Sequence, residues 1–399
     1  MKSIKIAIVS DLHCHPSDLV IEGKKIDDTY LKTDLLRSPN KDHPVESLLK
    51  LIKAEDLECD LTLCPGDFTN KSNVQGLISG WDFCLEIGNA LKSSDVIGTL
   101  GNHDVDSFLN YSEYSLTNVK GVKKGFPFKD SSNGILDKFW SLGCGIIEKE
   151  DIRIIVVNSC HFHHNKFKSG SGEVSDELIE YVDEYLSEVK DDKICLLLTH
   201  HHPIDHSMLK LGEEDKILNS DKLLEILGKY RVDLIIHGHK HHALLRYHQC
   251  LENNHKIPIF SSGSFSATSN IIFTQQRNHF HMIEISKNGT KNAKGKLKTW
   301  TYFPMQGWIL NHDNKGFDAY CGFGSEKKVD NIATEIENII DVGENRKWNE
   351  IVKSIPEIDF LNPTEISELS TELDKKGFSL SGRISEKPEY IFRLKKNKK

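Results

Sequence analysis

Five short motifs in the first 242 residues gather the side chains that do metal chemistry. They are Asp11-Leu12-His13, Gly66-Asp67, Gly101-Asn102-His103-Asp104, His200-His201-His202-Pro203 and Gly238-His239-Lys240-His241. Together they supply carboxylates, a neutral amide oxygen and imidazoles. Mixed nitrogen and oxygen donors suit Mn, Fe, Zn, Co or Ni better than calcium, which takes oxygen. The number of donors is enough for two neighbouring divalent ions, and paired ions commonly serve phosphate-ester hydrolysis. A carboxylate can bridge two cations whereas a neutral imidazole cannot, so Asp67 is the natural bridge. A single D-x-H is more often a turn than a site; five motifs in series are not explained by five unrelated turns.

Such residues need a scaffold that delivers them to one place. Most of the motifs follow an apolar run: Ile4–Ser10 precedes Asp11, Asp60–Cys64 precedes Gly66, Val96–Leu100 precedes Gly101, Ile194–Leu198 precedes His200 and Val232–Ile236 precedes Gly238. Further runs cover Ile152–Val157 and Ile257–Phe260, the latter ending in Ser261–Ser264. Short continuous apolar runs predict strands buried on both faces. Helical periodicity falls between them, over Pro44–Ala54, Val74–Leu91, Asp176–Val189 and Asp221–Leu227. Strand–helix alternation predicts an α/β domain whose strand ends converge on one ligand-binding edge.

With all five motifs present and in order, the chain resembles the calcineurin-like metallophosphoesterase superfamily over roughly residues 3–300. The motif forms look like those of the class III cyclic-nucleotide phosphodiesterase branch; repair nucleases share the same motifs. The resemblance implies a four-layer α/β/β/α sandwich with a dinuclear metal centre at one edge. It implies that Asp11, His13, Asp67 and His241 hold one ion, and that Asp67, Asn102, His239 and a histidine of the fourth motif hold the other. The family usually places that histidine two residues before a proline, which selects His201, with His200 and His202 as pocket-lining neighbours. His103 is then the histidine that meets the phosphate or the leaving group, supported by Asp104. His15 and His161 are further candidates for the substrate pocket, with His163 and His164 beside them. The activity implied is a dinuclear metal-dependent phosphohydrolase, foremost a phosphodiesterase that cleaves P–O bonds with a metal-activated hydroxide. A DNA or RNA nuclease, a phosphomonoesterase or protein phosphatase, and a silent scaffold are the alternatives.

The chain has 399 residues, 38% hydrophobic and 28% charged, with a net charge of −8. That supports a substantial core and weighs against a large nucleic-acid footprint. Nine cysteines lack C-x-x-C spacing, and the first strand leaves no room for a secretory leader, so a reducing cytoplasm and no membrane contact are expected. The division expected is a metallophosphoesterase domain over 1–300, with an insertion at 106–140, and a partly helical C-terminal extension or cap over 301–399. The insertion carries Lys120, Lys123, Lys124, Phe126, Phe128 and Lys129, a basic-aromatic mix more often a solvated loop than a nucleic-acid grip. The partner expected is a phosphodiester substrate, small molecule or nucleic acid.

Overall fold

The computed structural model describes residues 2–37, 43–110, 113–122, 125–129, 134–163, 170–205, 215–268, 276–289, 291–310, 317–381 and 387–394. Lys123, Lys124 and His164 lie outside these described residues. Two mixed sheets stack face to face. One has seven strands in the order Gly307–Leu310, Lys294–Phe303, His279–Lys287, Lys2–Ile8, Leu61–Cys64 and Asp95–Gly98, with Tyr320–Phe323 also paired to Lys294–Phe303. The other has six, in the order Ala243–Gln249, Lys256–Ser262, Leu234–His237, Ile194–Leu198, Ile152–Val157 and Cys144–Glu148.

Side-chain alternation makes the layers. In Ile152–Val157, Ile154 and Val156 join the core between the sheets, while Ile155 and Val157 join a separate core beneath the helices. Leu196 and Leu198 against Cys195 and Leu197 repeat the division one strand over. A strand with both faces buried reads as a continuous apolar run because each face needs its own apolar set. Helices Asp176–Glu188 and Ser220–Lys229 cover the six-stranded sheet through Leu178, Val182, Leu223 and Leu227. Helices Pro44–Glu55 and Val74–Ala90 cover the other through Leu48, Ile52, Leu77 and Trp81. The result is the expected α/β/β/α order.

The boundary expected at residue 300 falls inside a strand. Trp300, Tyr302 and Trp308 are buried in the main core, so the sheet carries on through Phe323. A third core then begins at Ile332 and gathers Ile336, Trp348, Ile351, Leu369, Phe378 and Ile391. Its elements run helix Val329–Ile339, strand Asn345–Lys347, helix Trp348–Ser354, a 3-10 turn at Pro356–Phe360, helix Pro363–Lys375 and strands Phe378–Leu380 and Tyr390–Arg393. Asn362 begins the third helix with a capping box: its side chain accepts from Glu365 N–H, and the Glu365 carboxylate accepts from Asn362 N–H. This unit docks on the sandwich through Lys294–Glu357 and Lys296–Asp359 ion pairs at 2.6 and 2.9 Å and through Gly322 N–H, which donates to the Leu361 carbonyl at 2.7 Å. A cavity of about 660 Å³ lies between the two, lined by Trp300, Leu297, Trp348 and Leu369 among others.

Candidate metal centre

All five motifs arrive at one edge of the sandwich, where the parallel strands end. Asp11 and His13, two apart, can face the same point only if the chain leaves the sheet in an irregular path. It does so with left-handed backbone, φ +53° at Asp11 and +52° at His13. Asp67, His239 and His241 share that conformation at +54°, +79° and +51°. Close approach is part of the construction. A Cβ on Gly101 would collide with the Asp67 carboxylate, and one on Gly238 would collide with that of Asp11.

The first group brings together Asp11, His13, Asp67 and His241, one ligand atom of each lying within 4.8 Å of the rest. His13 Nε2 is 2.8 Å from His241 Nε2 and 3.5 Å from Asp67 Oδ2; His241 Nε2 is 3.4 Å from Asp11 Oδ1. The second group shares Asp67. His200 Nε2 lies 3.3 Å from Asp67 Oδ2 and 3.1 Å from Asn102 Oδ1, and His239 Nδ1 lies 3.0 Å from the same Asn102 oxygen.

The fourth-motif histidine therefore differs from the one selected by proline spacing. His201 turns away, with Nδ1 2.8 Å from Ser159 Oγ. His200 turns in, with Nδ1 2.9 Å from the Pro65 carbonyl oxygen. A carbonyl only accepts, so Nδ1 carries a proton and Nε2 faces Asp67 and Asn102, where a bound cation would take its lone pair, the arrangement that commonly orients metal-bound histidines. His202 is buried beside His237 and His239. His161 packs against Gly143 and Phe162.

Charge shows that these residues fit divalent metal. Asp11 and Asp67 are 0% and 1% exposed. The groups facing them are imidazoles, a serine hydroxyl and backbone N–H groups. Burial strips His13 of its proton, taking it down to about 3. Burial works the same way on His200, but the Asp67 charge outweighs it and holds His200 up at about 9. Two buried carboxylates with His200 as a single imidazolium beside them need further positive charge to balance them, and this donor set suits borderline transition metals.

His103 stands beside the first group, its ring 4.7 Å from that of His13. Asp104 does not hold it. The Asp104 carboxylate accepts instead from the backbone N–H groups of Asp67, Gly101 and Thr69 at 2.8, 2.8 and 3.0 Å, so it clamps the second and third motifs together. The partner of His103 is Asn70, with Oδ1 2.6 Å from His103 Nδ1. Asn70 Nδ2 donates to both Asp28 oxygens at 2.8 and 2.7 Å. Because a carboxylate only accepts, the amide is oriented with its oxygen towards His103, and His103 Nδ1 must carry the hydrogen. His103 Nε2 is left for other partners. Burial disfavours the Asp28 charge, but hydrogen bonds from His15 and Asn70 prevail and hold its carboxyl down at about 2. His15 thus stands behind this relay, 3.1 Å from Asp28 and fully buried, rather than in a pocket. Asn70 and Asp28 have no motif spacing that marks them; only the fold brings them to His103.

A profile for calcineurin-like phosphoesterases matches residues 4–243. The chain belongs to the calcineurin-like phosphoesterase family. It is a phosphoric ester hydrolase acting on phosphoester substrates, with candidate ligands for divalent metal in Asp11, His13, Asp67 and His241. A second profile, described as wHTH-Calcineurin_assc, matches residues 321–375, which makes the C-terminal extension of this phosphoesterase a winged helix-turn-helix domain. Similar solved structures include GAP50, the anchor in the inner membrane complex of Plasmodium (13% identity, 75% of this chain and 84% of that one, TM-score 0.40). Others are the NAD nucleotidase of Haemophilus influenzae (12%, 95% and 61%, 0.40) and a predicted phosphoesterase of Streptococcus pneumoniae (12%, 81% and 98%, 0.31). No curated protein matches. Among the described residues, no helix is long and apolar enough to cross a membrane.

Proposed function

We propose that this phosphoesterase is a dinuclear metal-dependent phosphodiesterase acting on small-molecule diesters. The observation that carries the reading is the pair of donor groups sharing Asp67. Asp11, His13, Asp67 and His241 would hold one ion, and Asp67, Asn102, His200 and His239 the other, drawn from Mn, Fe, Zn, Co or Ni. Such ions supply charge to the phosphoryl oxygens and acidify water. The chain supplies the rest. Asp104 keeps the bridging carboxylate in place. Asn70, anchored on Asp28, holds the Nδ1–H of His103 and leaves Nε2 to meet a phosphoryl or leaving-group oxygen; as the imidazolium, protonated on both nitrogens, His103 would give its Nε2 proton to that oxygen. A hollow of about 50 Å³ beside His103, lined by Lys71, Ser72 and Asn102, offers room for that contact.

The nuclease alternative would use the winged helix-turn-helix as a DNA-facing cap. Its charge argues otherwise. The helix after the turn, Pro363–Lys375, carries Glu365, Glu368, Glu372 and Asp374 against a single Lys375, whereas DNA contact requires basic residues on phosphates. That helix also lines the cavity against the sandwich through Ile366, Leu369 and Asp374. All nine cysteines are free, as a reducing cytoplasm would keep them.

The test uses metal-stripped protein refilled with Mn, Zn, Ni or Co, an Asp67→Asn control, and bis-p-nitrophenyl phosphate, p-nitrophenyl phosphate and single- and double-stranded DNA as substrates. Metal-dependent cleavage of the diester without DNA degradation is expected. DNA degradation lost in Asp67→Asn would put the nuclease reading in its place; monoester turnover alone would replace the diesterase with a phosphatase.

A further inference from the structure

A second cluster of metal-binding side chains lies beside the paired donor groups and shares no residue with them. Cys160, His163 and His201 each present one ligand atom within 4.8 Å of the others. All are buried, at 0%, 1% and 0% exposure. Cys160 Sγ is 3.9 Å from His201 Nδ1, and the His163 and His201 rings meet edge to face with centroids 5.4 Å apart.

Two details set this cluster apart from ordinary core packing. First, His201 Nδ1 meets Ser159 Oγ at 2.8 Å, which leaves Nε2, buried without a hydrogen-bond partner among the described residues like a nitrogen of several other histidines, as the one to take a ligand. An unsatisfied buried polar atom is costly, so such atoms usually have a reason. Second, His163 is already set for ligation. Its Nε2 lies 3.0 Å from the Ser171 carbonyl oxygen, which can only accept, so Nε2 carries the proton and Nδ1 keeps its lone pair. Ser107 Oγ–H donates to that lone pair at 2.8 Å and would turn to the Asn102 carbonyl, also 2.8 Å away, where a metal took its place. An imidazole N–H pinned to a backbone carbonyl is the usual support of a metal-bound histidine. A soft sulfur with two imidazoles selects zinc-like cations over hard ones.

We propose that Cys160, His163 and His201 form a separate mononuclear site for a thiophilic divalent cation, zinc above all. On binding, the Cys160 thiol loses its proton to water and the thiolate and two neutral imidazoles donate to the ion. Three protein ligands leave the fourth tetrahedral position to water. The paired donor groups contain no sulfur, so the two sites are told apart by sulfur alone, and this inference stands or falls separately from the dinuclear reading.

The test is zinc X-ray absorption on the full-length, zinc-loaded protein, with metal content measured in parallel. The expected result is a sulfur scatterer at about 2.3 Å, together with one metal equivalent that Cys160→Ser removes. In cobalt-loaded protein a thiolate-to-cobalt charge-transfer band should appear, vanish in Cys160→Ser, persist in Cys64→Ser, and need at least about tenfold more cobalt in His163→Gln. A shell of nitrogen and oxygen only in the wild-type protein would overturn the proposal, and so would a band that survives Cys160→Ser. If Cys160→Ser fails to fold, the wild-type absorption spectrum decides by itself. Loss of the other metal equivalents with sulfur retained would count against the dinuclear reading alone.

Discussion

His200 and His201 are adjacent, yet the turn after Leu198 sends one towards Asp67 and Asn102 and the other towards Ser159. Changing each to alanine should separate them. In manganese-loaded protein, His200→Ala should abolish the exchange-coupled two-manganese resonance and weaken binding at that ion by 10-fold or more, while His201→Ala should keep the coupled signal. A coupled signal lost only in His201→Ala would restore the assignment by proline spacing. His103 is tested through its leaving group. His103→Ala should lower kcat for a diester with a poor leaving group by about 10²–10⁴, the usual size of proton-transfer catalysis, at unchanged metal content. Asn70→Ala should reproduce a smaller part of that loss and shift the pH profile, because it frees the His103 tautomer without touching substrate. Equal losses for good and poor leaving groups would remove proton donation from the role of His103. The motif residues were legible because their chemistry is written in their types. Asn70 and Asp28 were not, since each reaches its partner across more than thirty residues of sequence, and only folding closes that distance.

At the scale of elements, apolar runs located the central strands because both faces of each are buried, and the same runs placed the motifs at strand ends. The pattern was silent where strands are amphipathic or short. Lys294–Phe303 alternates lysines with Leu297, Trp300 and Tyr302, so its continuation of the sheet beyond residue 300 was hidden by its lysines. Phe378–Leu380 and Tyr390–Arg393 are too brief to show a period. The doubly buried strands should be the least tolerant. Leu196 is fully buried between the sheets, and Leu196→Ala should destabilise the protein by about 2–5 kcal/mol, read as a lower urea midpoint. Asn362→Ala, which removes the side-chain half of the capping box and leaves the Asn362 N–H bond to Glu365, should cost about 1 kcal/mol and act on melting of the C-terminal unit. A Leu196→Ala midpoint within error of wild type would contradict the two-sheet core.

The whole molecule carries an unusual number of histidines that burial keeps neutral, and this gives it a pH response away from the metal ligands. His43 and His281 are held down at about 4 by burial, and burial together with the neighbouring His281 and His242 depresses His279 as well. His281 is satisfied as a neutral ring, its two nitrogens 2.8 Å from Thr299 Oγ1 and the Ser262 carbonyl. In the unfolded chain each titrates near 6.5. Between pH 6.5 and 4 the unfolded state therefore binds protons that the folded state refuses, and stability falls as pH falls. For His43 and His281 the shift corresponds to roughly 3 kcal/mol each at the acid end. Other shifts act elsewhere or oppose. His200, raised to about 9, contributes fully below pH 6.5 and loses its share only as pH climbs towards 9. Asp28, lowered to about 2, loses its share only below the ordinary carboxylate range. Asp318, which burial pushes up to about 6, and Asp104, raised to about 8 by burial and by Asp67, favour the folded state on acidification, but they are fewer than the buried imidazoles. Urea midpoints of metal-free protein should therefore drop steadily from pH 6.5 to 4.5, and His281→Asn should flatten part of that slope even if it lowers the plateau. A flat or rising midpoint across this window would mean that the buried histidines accept protons in the folded state, and would require a polar or solvated surrounding for His43 and His281 that their burial denies.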